Sequence, residues 1–224
     1  MFAVGHMALA YLVGKGSGKP LRVKVNVPLL LVFSILPDID LIFQTILGTE
    51  LHRGITHSLL FAVVLFLPIF LIYRKKAVPY FLALLSHSLI GDFFIGGNVQ
   101  LLWPLQTGFG FHISIFSLAD EVSELALFGV ATVLLIITRD FRIFLRADKT
   151  NLFLLIPTAT VLLPPLIGYP LDQPLIESSP ALAIAHLFYL VLFVVAIALE
   201  IKTLAMFGRK KSEQTENSNQ KIKD

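Results

Sequence analysis

The chain has 224 residues, of which 56% are hydrophobic and 15% charged, with a net charge of +3 and no cysteine. Its mean hydropathy is +0.81, whereas a soluble domain carries about 25% charged residues, so an ordinary water-soluble globule is excluded. The missing thiols exclude disulfides, thiolate nucleophiles and Cys-ligated zinc.

The apolar residues fall in blocks near 2–13, 26–47, 57–73, 79–97, 122–138, 151–168 and 181–206. The blocks from His57 to Tyr73 and from Ala181 to Leu199 contain no Asp, Glu, Lys or Arg. A helix crosses the hydrocarbon core in about 20 such residues, and open strands would leave backbone groups unpaired in lipid. The fold class expected is therefore all-α, a polytopic membrane bundle of six or seven transmembrane or re-entrant helices. It forms one domain over 1–208. The first block is too short to span comfortably, so it is tilted or re-entrant. The internal prolines Pro28, Pro37, Pro68, Pro157, Pro164 and Pro165 are tolerable where neighbouring helices satisfy the freed carbonyls. The tail over 209–224 is rich in Lys, Ser, Asn, Gln and Glu, and disorder is expected there.

Cations set the orientation. Lys15, Lys19, Arg22 and Lys24 follow the first block, Arg74, Lys75 and Lys76 the third, Arg139, Arg142, Arg146 and Lys149 the fifth, and Arg209, Lys210 and Lys211 the last. These are alternate connections, so one assignment puts them all, with the C-terminal tail, in the cytoplasm. Arg53 then faces out with Glu50, Asp120, Asp172 and Glu177. The same bias accounts for a pI near 9.2 without a nucleic-acid partner, and no cationic face interleaved with aromatics is present. The lipid bilayer is the partner that composition dictates; the oligomeric state is not written in it.

Ionisable residues inside membrane segments are costly and mark function. In chain order they are His6, then Asp38 and Asp40 in Leu36-Pro37-Asp38-Ile39-Asp40. His52, Arg53 and His57 follow in His52-Arg53-Gly54-Ile55-Thr56-His57-Ser58, and then His87 and Asp92 in Ser86-His87-Ser88-Leu89-Ile90-Gly91-Asp92. At about 1.5 Å rise per residue, His6, Asp40 and Asp92 sit roughly 5–10 Å below the outer surface. His87 sits roughly 15 Å down by the same rise, and His57 at the surface. One polar cavity opening outward is expected in 1–110. Imidazoles and carboxylates together suit a divalent metal, zinc first, with manganese or iron as alternatives. A ligand set with an open position activates water for hydrolysis.

The spacing adds detail. Asp38 and Asp40 are about 200° apart on an ideal helix, so Pro37 breaks the helix there or one Asp acts from behind a ligand. Thr56 is a candidate N-cap for the third helix. Arg53 suits an anionic phosphate as a bidentate donor, and Arg53 or His52 would stabilise developing negative charge. Ser117-x-x-Asp120 resembles a capping box, which gives Asp120, Glu121 and Glu124 a structural reading. His186 reads as a packing residue, and Gly96-Gly97 as a turn.

With Gly5-His6 and Leu101-Leu102-Trp103-Pro104 added, these motifs resemble the membrane-bound metal-dependent hydrolase family, known from LexA-regulated inner-membrane hydrolases. The resemblance covers roughly residues 1–110 and implies metal-dependent hydrolysis at an inner membrane. The order of His, Asp, His, and then His with Asp, is also distantly similar to zinc-dependent phospholipase C. That similarity implies phosphoester chemistry, with a lipid or lipid-linked substrate suiting the depth of the cavity. Family members usually place the Asp four residues after the His of the fourth segment; here Asp92 is five after His87, about 140° round a regular helix. A π-bulge near Gly91 would restore a shared face. His6, Asp38, Asp40, His57, His87 and Asp92 are thus the candidate ligands. Rival readings are an ion or proton-coupled transporter, which needs polar residues reaching the inner leaflet, and a non-catalytic scaffold, which needs no metal.

Overall fold

A computed structural model describes residues 1–48, 51–168, 171 and 173–221. Glu50 and Asp172, two of the acids expected outside, lie outside the described residues, as does the end of the tail over 222–224. Among the described residues the protein is helical, and its only extended pairings are two isolated bridges, Ile95 with Ile113 and Val99 with Phe109.

Helix α1 (Ala3–Gly18) is the centre of the bundle. Every residue from Val4 to Tyr11 is buried, as expected of a helix that is apolar all round. Its 16 residues rise about 24 Å, less than the roughly 30 Å of a hydrocarbon core. α2 (Val27–Ile35) starts at Asn26, whose side chain accepts from Leu29 N. Pro37 cannot donate to the ladder, and the chain tightens into a 3₁₀ turn over Leu36–Asp38 before α3 (Ile39–Leu47). Gly48, at φ 64°, ends α3 in the left-handed conformation. A second 3₁₀ turn, Ile55–His57, leads to α4 (Leu59–Tyr73).

α5 (Val78–Ser86) widens into a π-helical turn over His87–Gly91 and closes with α6 (Asp92–Phe94). α7 (Leu118–Ile137) is followed, beyond a cation-rich connection, by α8 (Leu155–Ile167) and the short α9 (Leu175–Ser178). α10 (Pro180–Lys221) continues past Gly208. The principal core joins both halves of the chain: Met7 and Tyr11 of α1 meet Leu31 of α2, Leu135 of α7, Val161 of α8 and Phe193 of α10.

Three helical stretches are long and apolar enough to cross a membrane: Val27–Leu47, Lys149–Leu166 and Pro180–Gly208. Among the described residues, three of the six or seven segments expected from hydropathy thus meet the length and composition of a full span. α4 has 15 residues, Val78–Phe94 is shorter than a full span, and α7 carries Asp120, Glu121 and Glu124 in its first two turns.

Candidate metal centre

Four side chains from three parts of the chain converge on one point: Asp38, His57, His87 and Asp92. The 3₁₀ turn at Pro37 presents Asp38, and the turn before α4 presents His57. The π turn presents His87 and Asp92 together. Five residues make little more than one π turn, so both project to one side, as the bulge near Gly91 required. His57 and His87 are each 1% exposed. His57 is buried within the protein. The turn over Ile55–His57 folds inward and brings its ring to His87, with Nε2 atoms 3.2 Å apart.

Each ring is held from behind. His87 Nδ1 donates to the Ser34 carbonyl at 2.6 Å, and His57 Nδ1 donates to Thr56 Oγ1 at 3.1 Å and lies 3.0 Å from Asp40 Oδ2. In their neutral form, rings so engaged turn their Nε2 lone pairs toward each other. Asp38 Oδ1 lies 3.5 Å from His57 Nε2 and 3.2 Å from His87 Nε2. Asp92 Oδ2 lies 3.2 and 3.6 Å from the same two nitrogens. Four acceptor atoms thus crowd one buried volume, where desolvated charge without a partner costs several kcal/mol. A cation removes the conflict. An ion in tetrahedral coordination with bonds of about 2.0–2.1 Å keeps its ligands about 3.3–3.4 Å apart, and the five distances above run from 3.2 to 3.6 Å. The donor set therefore fits a small divalent ion.

Asp40 and His6 do not join this group. Asp40 belongs to a neighbouring cluster with His52 and His57. Its Oδ1 accepts from His52 Nδ1 at 3.1 Å and its Oδ2 from Thr56 Oγ1 at 2.6 Å. Asp38 and Asp40 thus lie against the two nitrogens of a single imidazole, which explains how residues about 200° apart serve one site. A carboxylate behind a ligand histidine fixes its tautomer and raises its basicity. His6 stacks on His87, with centroids 3.7 Å apart and an interplanar angle of 11°. Its Nε2 is 3.4 Å from Asp92 Oδ1, and its Nδ1 is buried without a hydrogen-bond partner. Gly91 admits it: a Cβ there would meet His6 Nδ1 at 2.6 Å.

Arg53, at φ 65°, sits beside the centre. Its Nη1 donates to the Gly97 carbonyl at 3.0 Å and its Nη2 to the Ile95 carbonyl at 3.4 Å. Its Nε is 3.5 Å from Asp92 Oδ2. Gly96 is more than a turn residue, because any Cβ there would collide with the guanidinium. His52 and Arg53 both line a cavity of about 460 Å³ that also reaches Asp38 and Asp92.

Several roles were missed. Thr56 is not a cap: Ser58 caps α4 by accepting from Phe61 N at 3.1 Å, and Thr56 donates to Asp40 instead. The position of Ser58 immediately before the uninterrupted apolar run was the available signal. Ser34 contributes a backbone carbonyl, which no side-chain pattern announces. Glu124, fully buried, accepts from Phe2 N at 2.7 Å and Gly5 N at 3.1 Å, satisfying free amides at the start of α1. Ser117 accepts from Asp120 N, as a cap does, while the Asp120 carboxylate accepts from Phe116 N. His186 donates from Nδ1 to the Leu182 carbonyl and packs edge-on to Phe2, a packing role.

The model of a family described as YdjM inner membrane protein matches residues 1–206, well beyond the stretch over 1–110 that carries the motifs. No curated protein and no solved structure matches the chain.

Proposed function

The chain belongs to the YdjM inner membrane protein family, and from that premise we propose that it is a membrane-embedded, metal-dependent hydrolase acting on a phosphoester of a lipid or lipid-linked substrate. In this reading α1, α4, Val78–Phe94 and α7 add to the three long helices to give six or seven membrane segments. The centre faces the outer leaflet and the C-terminal tail the cytoplasm, following the alternate placement of the cations.

The observation that carries the reading is the pair of imidazole nitrogens 3.2 Å apart, each ring already donating from its other nitrogen, with two carboxylates against them. Asp38, His57, His87 and Asp92 would hold the ion; zinc suits the donor set best, with manganese or iron as alternatives. When bound, a divalent ion supplies Lewis acidity and lowers the pKa of water.

The chain's own groups supply the rest. In phosphoester hydrolysis the oxygen of water adds to phosphorus, the ester P–O bond breaks, and the departing oxygen takes a proton. Arg53, pinned by two backbone carbonyls, retains one hydrogen on each Nη and can hold the non-bridging oxygens without reorganising. His52 lines the cavity. With Nδ1 on Asp40, its Nε2 lone pair is available to take the proton from water.

The test is turnover of p-nitrophenyl phosphate and bis-p-nitrophenyl phosphate by purified, zinc-loaded protein. Release of p-nitrophenol that chelation abolishes and zinc restores is expected, with at least a hundredfold loss in Arg53→Ala. Turnover no higher than that of a His57→Ala, His87→Ala variant overturns the phosphoester reading.

A further inference from the structure

The connection over 95–117, between α6 and α7, is the longest non-helical stretch among the described residues. From Phe93 to Ala119 the chain has no Asp, Glu, Lys or Arg. A loop that runs through water is ordinarily polar, yet this one leaves Leu102, Leu105, Phe111, Ile115 and Phe116 between 37% and 65% exposed. Phe111 stacks on Phe94, itself 43% exposed, with ring centroids 5.0 Å apart. Apolar surface gathered in this way marks a contact.

Its neighbours say what covers it. Leu101 O accepts from Leu59 N at 2.9 Å, which seats the loop at the start of α4, where Leu60, Val63 and Val64 are exposed. At its other end the loop runs into Leu118 and Val122 of α7, also exposed. Its apolar side chains thus continue the helix flanks that an inner membrane protein turns to acyl chains. With no charge over 93–119, nothing here steers or pairs with a charged soluble partner. Depth is bounded from the other side. The amides of Gln106, Thr107 and Gly108, at the loop's tip, have no hydrogen-bond partner among the described residues. Irregular backbone facing lipid does not occur in the hydrocarbon region, so the tip requires water. The head-group boundary offers both water and apolar contact, and Trp is enriched there. Trp103, the chain's one tryptophan, stands half-buried in this loop.

We infer that the loop over 95–117 is an interfacial anchor, lying along the bilayer surface with its Leu and Phe side chains among the upper acyl carbons of phospholipids and its backbone at head-group level. The anchor is fastened to the candidate centre. Arg53 donates to the Gly97 and Ile95 carbonyls, and its own carbonyl accepts from Gln100 N at 2.9 Å. The anchor therefore sets the height of Arg53 at the layer where lipid phosphates lie. The depth of the loop rests on its composition and on membrane residence alone; a lipid phosphate meeting Arg53 rests on the hydrolytic reading above.

A single tryptophan makes the depth directly readable, because all tryptophan emission comes from the loop. The experiment is fluorescence quenching of the full chain in phosphatidylcholine vesicles brominated either near the head group or near the methyl end of the acyl chain, with iodide as the aqueous quencher. Quenching by bromine near the head group is expected to be at least twofold stronger than near the methyl end, and iodide should quench at least threefold less than it quenches free tryptophan. Leu102→Asp with Leu105→Asp puts two charges at the contact and leaves the His and Asp cluster untouched. It should cut head-group quenching at least twofold with metal content unchanged. Iodide quenching without bromine quenching would mean a loop in water, and quenching by neither a loop covered by a second copy or another protein. Strongest quenching near the methyl end would mean a loop in the hydrocarbon. Each of these overturns the inference, as does undiminished bromine quenching in the double variant. Because quenching is read without turnover, such failure is distinct from failure of the p-nitrophenyl assay.

Discussion

Gly91→Ala probes the close approach of the His6 ring to the π turn. The backbone at Gly91 is right-handed helical, with φ −52° and ψ −73°, so alanine suits it intrinsically and would gain about 1 kcal/mol in a helix. The added Cβ, however, falls 2.6 Å from His6 Nδ1. Ordinary contact is about 3.5 Å, so the ring must retreat by about 1 Å, away from its 3.7 Å stack on His87 and from Asp92. Overpacking of this kind costs about 1–3 kcal/mol, which outweighs the helical gain. Thermal unfolding of detergent-solubilised Gly91→Ala should therefore show a net loss of up to about 2 kcal/mol. The sign should reverse in a His6→Ala background, where the ring is gone and only the helical preference remains. Metal affinity by competitive chelation should fall about 10–100-fold in the single variant, because Asp92 loses the group behind it. A destabilisation that persists unchanged in the His6→Ala background would refute the reasoning.

Asp40→Asn keeps an oxygen for His57 but removes the charge, and metal affinity measured by the same chelator competition should drop about 10–100-fold with the helical circular dichroism intact. Tyr11→Phe removes hydrogen bonds to Asp140 at 2.8 Å and Thr138 at 3.1 Å, which tie α1 to the end of α7; a loss of about 1–3 kcal/mol is expected by thermal unfolding. Because the chain has no native thiol, Lys75→Cys reports orientation without background, and it should resist impermeant maleimide in intact cells and react after lysis.

The parts of the site legible in the sequence were those where one costly side chain declares itself in an apolar run. His57, His87 and Asp38 are of this kind. The five-residue interval from His87 to Asp92 carried its own resolution, because only a widened turn aligns them, and Gly91 marks where it widens. Roles that depend on how separate elements dock were not legible. Asp40 looks like Asp38 until the turn over Ile55–His57 folds inward and brings His57 Nδ1 against it. His6 looks like a ligand until α1 is placed against α5 and α6, where it stacks behind His87. Glu124 looked like a helix-start acid because its partners, Phe2 N and Gly5 N, lie about 120 residues away. Three of the expected membrane segments are long and apolar enough to span, and the others are shorter or carry charge.

The account stands on one claim, that Asp38, His57, His87 and Asp92 are arranged around a cation. Elemental analysis of the purified protein after extensive dialysis tests it most directly. About one equivalent of a divalent transition metal per chain is predicted for the wild type and none for a His57→Ala, His87→Ala variant that retains its helical circular dichroism. Wild-type protein without stoichiometric metal, or a double variant that keeps it, would contradict the claim.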